Sequence, residues 1–263
     1  MVSINPASMS LTPLTSSANH ETSITTKVSP WLSPIAYPLG CRVVLPTYFR
    51  TIEVSGQENL PTEGSVILAP THRARWDALI VPYATGRGVT GRDLRFMVSA
   101  NEMNGLQGWF IRRLGGFPVD PQQPAIASLR YGLDVLRQQE MMVIFPEGGI
   151  FRDGKLHPLK PGLARLALQA EQSQPGLNVK IVPIYVDYNE AVPSWNCDVT
   201  VRIGKPLHSN HYTTQISSNQ QSHSHKRDTV KQSARKLTDD LTAALQDLGA
   251  EPSTQLVTEA IAI

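Results

Sequence analysis

Four things are scarce in this sequence, and each scarcity excludes a class of protein. Only two cysteines occur, Cys41 and Cys197, far apart and without metal or redox spacing. A disulfide framework and a cysteine-held metal are therefore excluded, and buried thiols in a reducing compartment are expected. Charge of either sign is not in excess: 24 basic and 22 acidic residues leave a formal net charge of +2. No global field favours nucleic acid, so no nucleic-acid partner is expected. Uninterrupted apolar runs are also missing. The most apolar stretch, WLSPIAYPLGCRVVLPTYF over 31–49, is broken by Pro34, Pro38, Pro46 and Arg42, whereas a bilayer span needs about 20 predominantly apolar residues. Finally, no G-x-S-x-G elbow is present and neither cysteine stands in a nucleophile motif, so no enzyme nucleophile is evident.

What is present is the composition of a globular protein, 263 residues with 41% apolar and 17% charged, enough to bury a sizeable core. Residues 1–30 carry 12 Ser or Thr and only two charged residues, Glu21 and Lys27. Without hydrophobic periodicity they read as a disordered tail. A transit peptide would need arginines, and none precedes Arg42. Residues 31–50, with Trp31, Tyr37, Tyr48 and Phe49, read as a membrane-interfacial segment, because these residue types favour headgroup depth. A helix packed on the protein's own core is the competing reading.

From Arg50 the pattern alternates. SVILAP reads as a buried strand, WDALIVPYAT as a helix with Asp77 in its first turn, and LRFMVSA as a strand. LQGWFIRRLGG reads as a short helix, FPVD as a strand fragment, and AIASLRYGLDVLRQQ as an amphipathic helix with Ile126, Leu129, Leu133 and Leu136 on one face. MMVIFPEGG is a strand ending in a turn, KPGLARLALQAEQ a helix, and VKIVPIYVDY and CDVTVRIG two further strands. This alternation predicts an α/β fold, a mixed and largely parallel sheet covered by helices. One domain is expected over 51–207, followed by a polar linker over 208–226, an amphipathic helix over 227–249 and a tail over 250–263. In the linker, His208, His211, His223 and His225 match no standard metal spacing, so no metal site is expected. The C-terminal helix repeats Val230, Ala234, Leu237, Leu241, Ala244 and Leu248 at helical spacing and should dock by one face.

The chemistry is predicted at the joint between the SVILAP strand and the helix after it, where LAPTHRARWDALIVP places His72 and Asp77. On one continuous helix these two would lie about 140° apart and could not meet. If His72 sits in the turn and Asp77 in the first helical turn, the carboxylate can hold one imidazole nitrogen and leave the other as a base. With no enzyme nucleophile in view, such a base suits the direct activation of a substrate alcohol.

Four ordered blocks then carry a resemblance. HRARWD reads as H-x-x-x-x-D, and GWFIRR, FPEGG and VPIYV follow it, spanning 72 to 186. Together they resemble the lysophospholipid and glycerophosphate acyltransferase family, typified by 1-acylglycerol-3-phosphate acyltransferases. The resemblance implies a general base at His72 oriented by Asp77, an acceptor site shaped by Glu147 and Gly148, a phosphate contact from Arg112 and Arg113, and a structural Pro183. Two departures stand out. Relatives continue F-P-E-G-T-R, whereas Gly149 and Ile150 occupy the Thr and Arg positions here. Arg152 and Lys160 are the substitutes expected to reach the acceptor's phosphate. Relatives also often carry a lysine two positions before Glu102, where this chain has Ala100. The run GIFRDGK over 149–155 mimics a phosphate-binding loop, but Leu156 stands where Ser or Thr would hold Mg²⁺.

The function implied is transfer of a fatty acyl group from a thioester, on coenzyme A or acyl carrier protein, to the free hydroxyl of a lysophospholipid, foremost 1-acylglycerol-3-phosphate, in phospholipid biosynthesis. No cofactor is expected beyond the thioester co-substrate. The alternatives are a different lyso-lipid acceptor, or a non-catalytic lipid-binding protein of the same fold. The expected setting is cytoplasmic and peripheral on a membrane surface. The cluster Arg87, Arg92 and Arg95 is a candidate contact for an acidic carrier protein.

Overall fold

The computed structural model describes residues 28–120, 126–217 and 223–250. Of the expected tails over 1–30 and 250–263, residues 1–27 and 251–263 lie outside the described residues, as does part of the expected linker.

Eight described strands form one sheet: β1 (Thr51–Ser55), β2 (Val66–Pro70), β3 (Leu94–Ser99), β4 (Gly116–Val119), β5 (Met141–Val143), β6 (Lys180–Tyr188), β7 (Asp198–Ile203) and β8 (Leu207–His208). Their order is β1-β7-β6-β2-β5-β3-β4, with β8 pairing β6. Five of the seven pairings are parallel, and only those of β6 with β7 and β8 are antiparallel. The expected mixed, mainly parallel sheet is therefore the one found.

Strands β2, β5 and β6 read as unbroken apolar runs because both of their faces are covered. Along β2, Ile67 and Ala69 join one core with Leu133, Leu136, Leu163, Leu166, Leu237 and Leu241. Val66 and Leu68 point to the other face and join Leu45, Phe49, Ile80, Val81, Ile184 and Val186. The period of two along a strand thus feeds two helical layers from one sequence run.

The first layer holds α6 (Ile126–Arg137), α7 (Gly162–Ser173), α8 (Asn210–Ser217) and α9 (His223–Ala250), and the second holds α3 (Asp77–Thr85) and the N-terminal helical segment. That segment runs as α1 (Ser33–Leu39), a π turn (Gly40–Val44) and α2 (Leu45–Tyr48). Shorter elements are α4 (Arg87–Thr90) and α5 (Gly105–Arg113). Among the described residues, no helix is long and apolar enough to cross a membrane.

Three local expectations are corrected. The segment read as a linker carries β8 and α8, because Tyr212 is buried and donates its hydroxyl to Asp240 Oδ2 (2.7 Å), while Ser209 donates to Glu171 Oε2 (2.8 Å). On α6, Ile126 is 62% exposed and Leu129 half-buried, so the expected apolar face is fully covered only at Leu133 and Leu136. On α9 the docking face is Ala234, Leu237, Leu241 and Leu245, with Val230, Ala244 and Leu248 only half-buried beside it.

Candidate active site

The site begins where β2 runs out. Thr71 pins the strand end to β6: its Oγ1 donates to Val186 O (3.1 Å) and accepts from Val186 N (2.9 Å), and its N–H reaches Ile184 O (2.9 Å). The chain then turns through His72–Trp76 before α3 starts at Asp77. That turn brings His72 Nδ1 to 2.8 Å from Asp77 Oδ2.

Asp77 is completely buried and accepts from every side. Oδ2 also takes the backbone N–H groups of Arg73 (2.7 Å) and Ala74 (2.9 Å), and Oδ1 takes the Tyr188 hydroxyl (2.7 Å). A carboxylate with these donors is an acceptor only. The proton of the shared contact therefore sits on His72 Nδ1, and the Nε2 lone pair is left for something else. Burial, and next the Asp77 charge, pushes the Tyr188 phenol far above its ordinary value, so it remains a donor.

A second carboxylate fixes the turn from the other side. Glu147, just after β5, is buried and accepts His72 N–H (3.1 Å), Arg73 Nη1–H at 3.0 Å on Oε1 and 3.2 Å on Oε2, and His157 N–H on Oε2 (2.9 Å). Phe151 N–H donates to His72 O (2.9 Å). The imidazole stacks on the Phe145 ring, with centroids 3.9 Å apart and planes inclined by 22°. The ring of His72 is thus held by side chain, backbone and stacking together.

His72 opens into a cavity of about 670 Å³. Its walls are mainly apolar, including Leu79, Phe96, Ile111, Leu129, Ile144 and Leu163, and the inner side of the N-terminal segment closes it at Ala36, Tyr37, Gly40 and Cys41. Burial pushes the Cys41 thiol up, so it stays protonated and offers no nucleophile. The polar lining consists of His72, Arg75, Ser99, Glu102, Gln107, Asp120 and Lys160. Gly148 lines the same wall at φ +72, and a Cβ there would fall 2.6–2.7 Å from the end of the Lys160 side chain, which lies across the turn.

The residues expected from the sequence divide into two groups. His72, Gly148 and Lys160 line the cavity together, with Asp77 directly behind His72. Glu147 does not line it, since its carboxylate is spent on His72, Arg73 and His157. Arg112 is exposed at the end of α5, and Arg113 lies over the rings of Trp109 (4.3 Å) and Trp31 (5.8 Å) instead of facing the cavity. Arg152 faces a separate cleft of about 240 Å³ with Arg73, Asp153, Asp187, Tyr188 and Glu190. The loop that carries it contains the GIFRDGK run, and the next helix starts only at Gly162, so no phosphate-binding loop forms.

The arginines considered for a carrier protein are already engaged. Arg87 pairs with Asp93, Arg92 donates to the carbonyls of Pro61, Gly64 and Gln139, and Arg95 pairs with Glu140. His208 Nδ1 contacts Asn178 Oδ1 (3.2 Å), and no metal-holding cluster occurs among the described residues. Three site residues escaped the sequence reading: Tyr188, Arg73 and Arg75. Tyr188 ends a strand that reads as core, and the two arginines sit inside H-x-x-x-x-D, where the alternation Arg-Ala-Arg was the available signal.

Known proteins resemble this chain in sequence and in fold. The family described as Acyltransferase matches residues 51–187. The chain is 27% identical over 141 residues to a 1-acyl-sn-glycerol-3-phosphate acyltransferase of Streptococcus pneumoniae, covering 52% of this chain and 45% of that protein. It is 28% identical over 117 residues to a protein of the same description from Bacillus subtilis, covering 44% and 56%. The matches thus span about half the length of these relatives. Among solved structures, the 1-acyl-sn-glycerophosphate acyltransferase PlsC from Thermotoga maritima superposes with a TM-score of 0.51 at 18% identity, covering 79% of this chain and 78% of that one, which is a likeness of fold. The matched segment contains the His72–Asp77 pair, the Glu147 clamp and all but the N-terminal wall of the cavity, and the chain belongs to the acyltransferase family.

Proposed function

We propose that this protein transfers a fatty acyl group from a thioester, on coenzyme A or acyl carrier protein, to the free hydroxyl of a lysophospholipid, with 1-acylglycerol-3-phosphate as the foremost acceptor. The observation that carries this reading is the imidazole whose Nδ1 is held by a buried carboxylate while the rest of its ring borders an apolar cavity of about 670 Å³. Such a cavity has the size and lining of a lipid site.

In the step proposed, the acceptor hydroxyl lies within reach of His72 Nε2. As its oxygen attacks the thioester carbonyl, the proton passes to Nε2, and Asp77 stabilises the imidazolium that forms. Collapse of the tetrahedral intermediate breaks the carbon–sulfur bond, and the imidazolium returns the proton to the departing thiolate. One ester and one free thiol result, and no enzyme nucleophile is used. Glu147 acts through the turn, holding the His72 backbone while Phe145 fixes the ring plane.

The same reading places the protein on a lipid surface. The outer side of the N-terminal segment exposes Trp31, Ile35, Leu39 and Val43, spaced four apart, and α5 exposes Leu106, Trp109 and Phe110. Both elements wall the cavity with their inner sides. An acyl chain leaving the cavity between them would meet the bilayer without crossing water.

The test is incubation of pure protein with a labelled acyl thioester and a panel of lyso-lipids. Thioester-dependent formation of phosphatidic acid supports the reading. Acylation of only another lyso-lipid reassigns the acceptor, and binding of lipid without turnover by any acceptor overturns the enzyme reading.

A further inference from the structure

Resting on the acyltransferase reading above, we infer that Arg75, with Lys160, forms the seat for the anionic headgroup of the acceptor in this chain. The acceptor must present its hydroxyl at His72, and in a glycerol phosphate the phosphorus is only a few bonds from that hydroxyl. The cation that holds it must therefore border the same cavity as the imidazole. Among the described residues, Arg75 and Lys160 are the arginine and lysine on that lining. Arg112 is turned outward, Arg113 is stacked on two tryptophans, and Arg152 opens into the other cleft.

The two cations are presented differently. Lys160 lies across Gly148, whose lack of a Cβ leaves room for its terminal carbons and ammonium, and its backbone N–H is fixed to Pro146 O at 2.8 Å. Its ammonium is thereby carried on the turn that also holds Glu147 and, through it, His72. Arg75 comes from the His72–Asp77 turn itself and is largely exposed. Its Nη2 donates to Glu102 Oε1 at 3.0 Å, and Glu102 Oε2 is held in turn by Gln107 Nε2 at 2.7 Å. That leaves four of the five guanidinium N–H groups for a ligand, enough for a bidentate contact with phosphate. Glu102 sets the direction of the fork and, with Asp120, is a carboxylate on the same lining.

The seat also accounts for the altered third block. There Ile150 lines the cavity as an apolar residue. The positive charge at the headgroup then comes from inside the H-x-x-x-x-D turn instead.

The test measures acylation of 1-acylglycerol-3-phosphate and of the uncharged 1-monoacylglycerol by wild type, Arg75→Gln, Lys160→Met and Arg152→Ala, with the exposed α7 variant Arg165→Ala as a charge control. For Arg75→Gln and Lys160→Met, a roughly ten- to hundredfold rise in KM for the phosphate acceptor is expected, with kcat changed far less. Their KM for the uncharged acceptor should change far less than for the phosphate acceptor. Equal losses on both acceptors, or a KM rise confined to Arg152→Ala, would overturn the seat. Absence of any turnover by wild type would instead defeat the acyltransferase reading itself, so the two failures are told apart.

Discussion

The Tyr188 hydroxyl donates to Asp77 Oδ1 across 2.7 Å, joining the end of β6 to the start of α3 over 111 residues of sequence. This contact decides which oxygen of Asp77 faces the imidazole, because Oδ2 is left to His72 and two backbone N–H groups. Its cost appears at high pH. The unfolded phenol ionises near its ordinary value of about 10, whereas burial and the Asp77 charge raise it well beyond that in the folded protein. A raised folded pKa gives stability that is present below the unfolded value and lost as pH climbs above it, at about 1.4 kcal/mol per pH unit. Chemical unfolding between pH 9 and 11 should show stability falling with pH, with Tyr188 contributing beside the likewise raised phenols of Tyr37 and Tyr212, and Tyr188→Phe should make that fall shallower. An unchanged alkaline slope in the variant would contradict the linkage.

Removal of the imidazole gives the most direct check on the proposed chemistry. His72→Ala is expected to lower kcat by about 10²–10⁴ while leaving circular dichroism and the unfolding midpoint near wild type, since the His72 ring is near the surface of the cavity. Asp77→Asn should lose activity on the same scale, because an amide can donate to Nδ1 and so favour the wrong tautomer. Full activity in either variant argues against a base at His72.

The strands and this pair were legible because both depend on local sequence. VILAP and KIVPIYVDY are apolar on both faces, and His72 and Asp77 are joined by a single turn. What escaped the sequence depends on distant partners. Helix α8 looks like a linker until Tyr212 meets Asp240, and Tyr188 looks like core until it meets Asp77. The displaced arginine escapes the sequence for a related reason. Counting two residues from Ile150 to Arg152 says nothing of the loop's path, and that path turns Arg152 to the opposite cleft. Ionic sites across a sheet are set by topology, which residue spacing does not encode.

Glu147 and Arg73 make a second stability test, with stability and catalysis separable. Their side chains are almost fully buried and 3.0 Å apart. Glu147→Ala strands a buried guanidinium, at a cost of about 3–5 kcal/mol, so the thermal midpoint should fall by roughly 10 °C. The double variant Arg73→Met with Glu147→Leu should recover much of that loss. Activity should not return with it, because the His72 N–H still lacks its acceptor. Recovery of both would show that the clamp matters only for stability.

A final expectation concerns the outer wall of the cavity. Residues 31–49 and 105–119 contain no acidic residue, while Arg42, Arg112 and Arg113 lie along them. Arg113 sits between Trp31 of the N-terminal segment and Trp109 of α5, joining the two exposed apolar faces into one surface. Tryptophan favours the headgroup region, and nearby arginines favour anionic lipid. Sedimentation with vesicles should therefore show binding that weakens with salt and with loss of anionic lipid. Ile35→Asp with Leu39→Asp should move the protein to the supernatant, and Trp109→Ser with Phe110→Ser should do so in part. Because those side chains face away from the cavity, turnover of acceptors dispersed in detergent should persist in both variants. Loss of detergent activity would mean that the faces hold the cavity walls together, and binding unaffected by either change would place the membrane contact elsewhere.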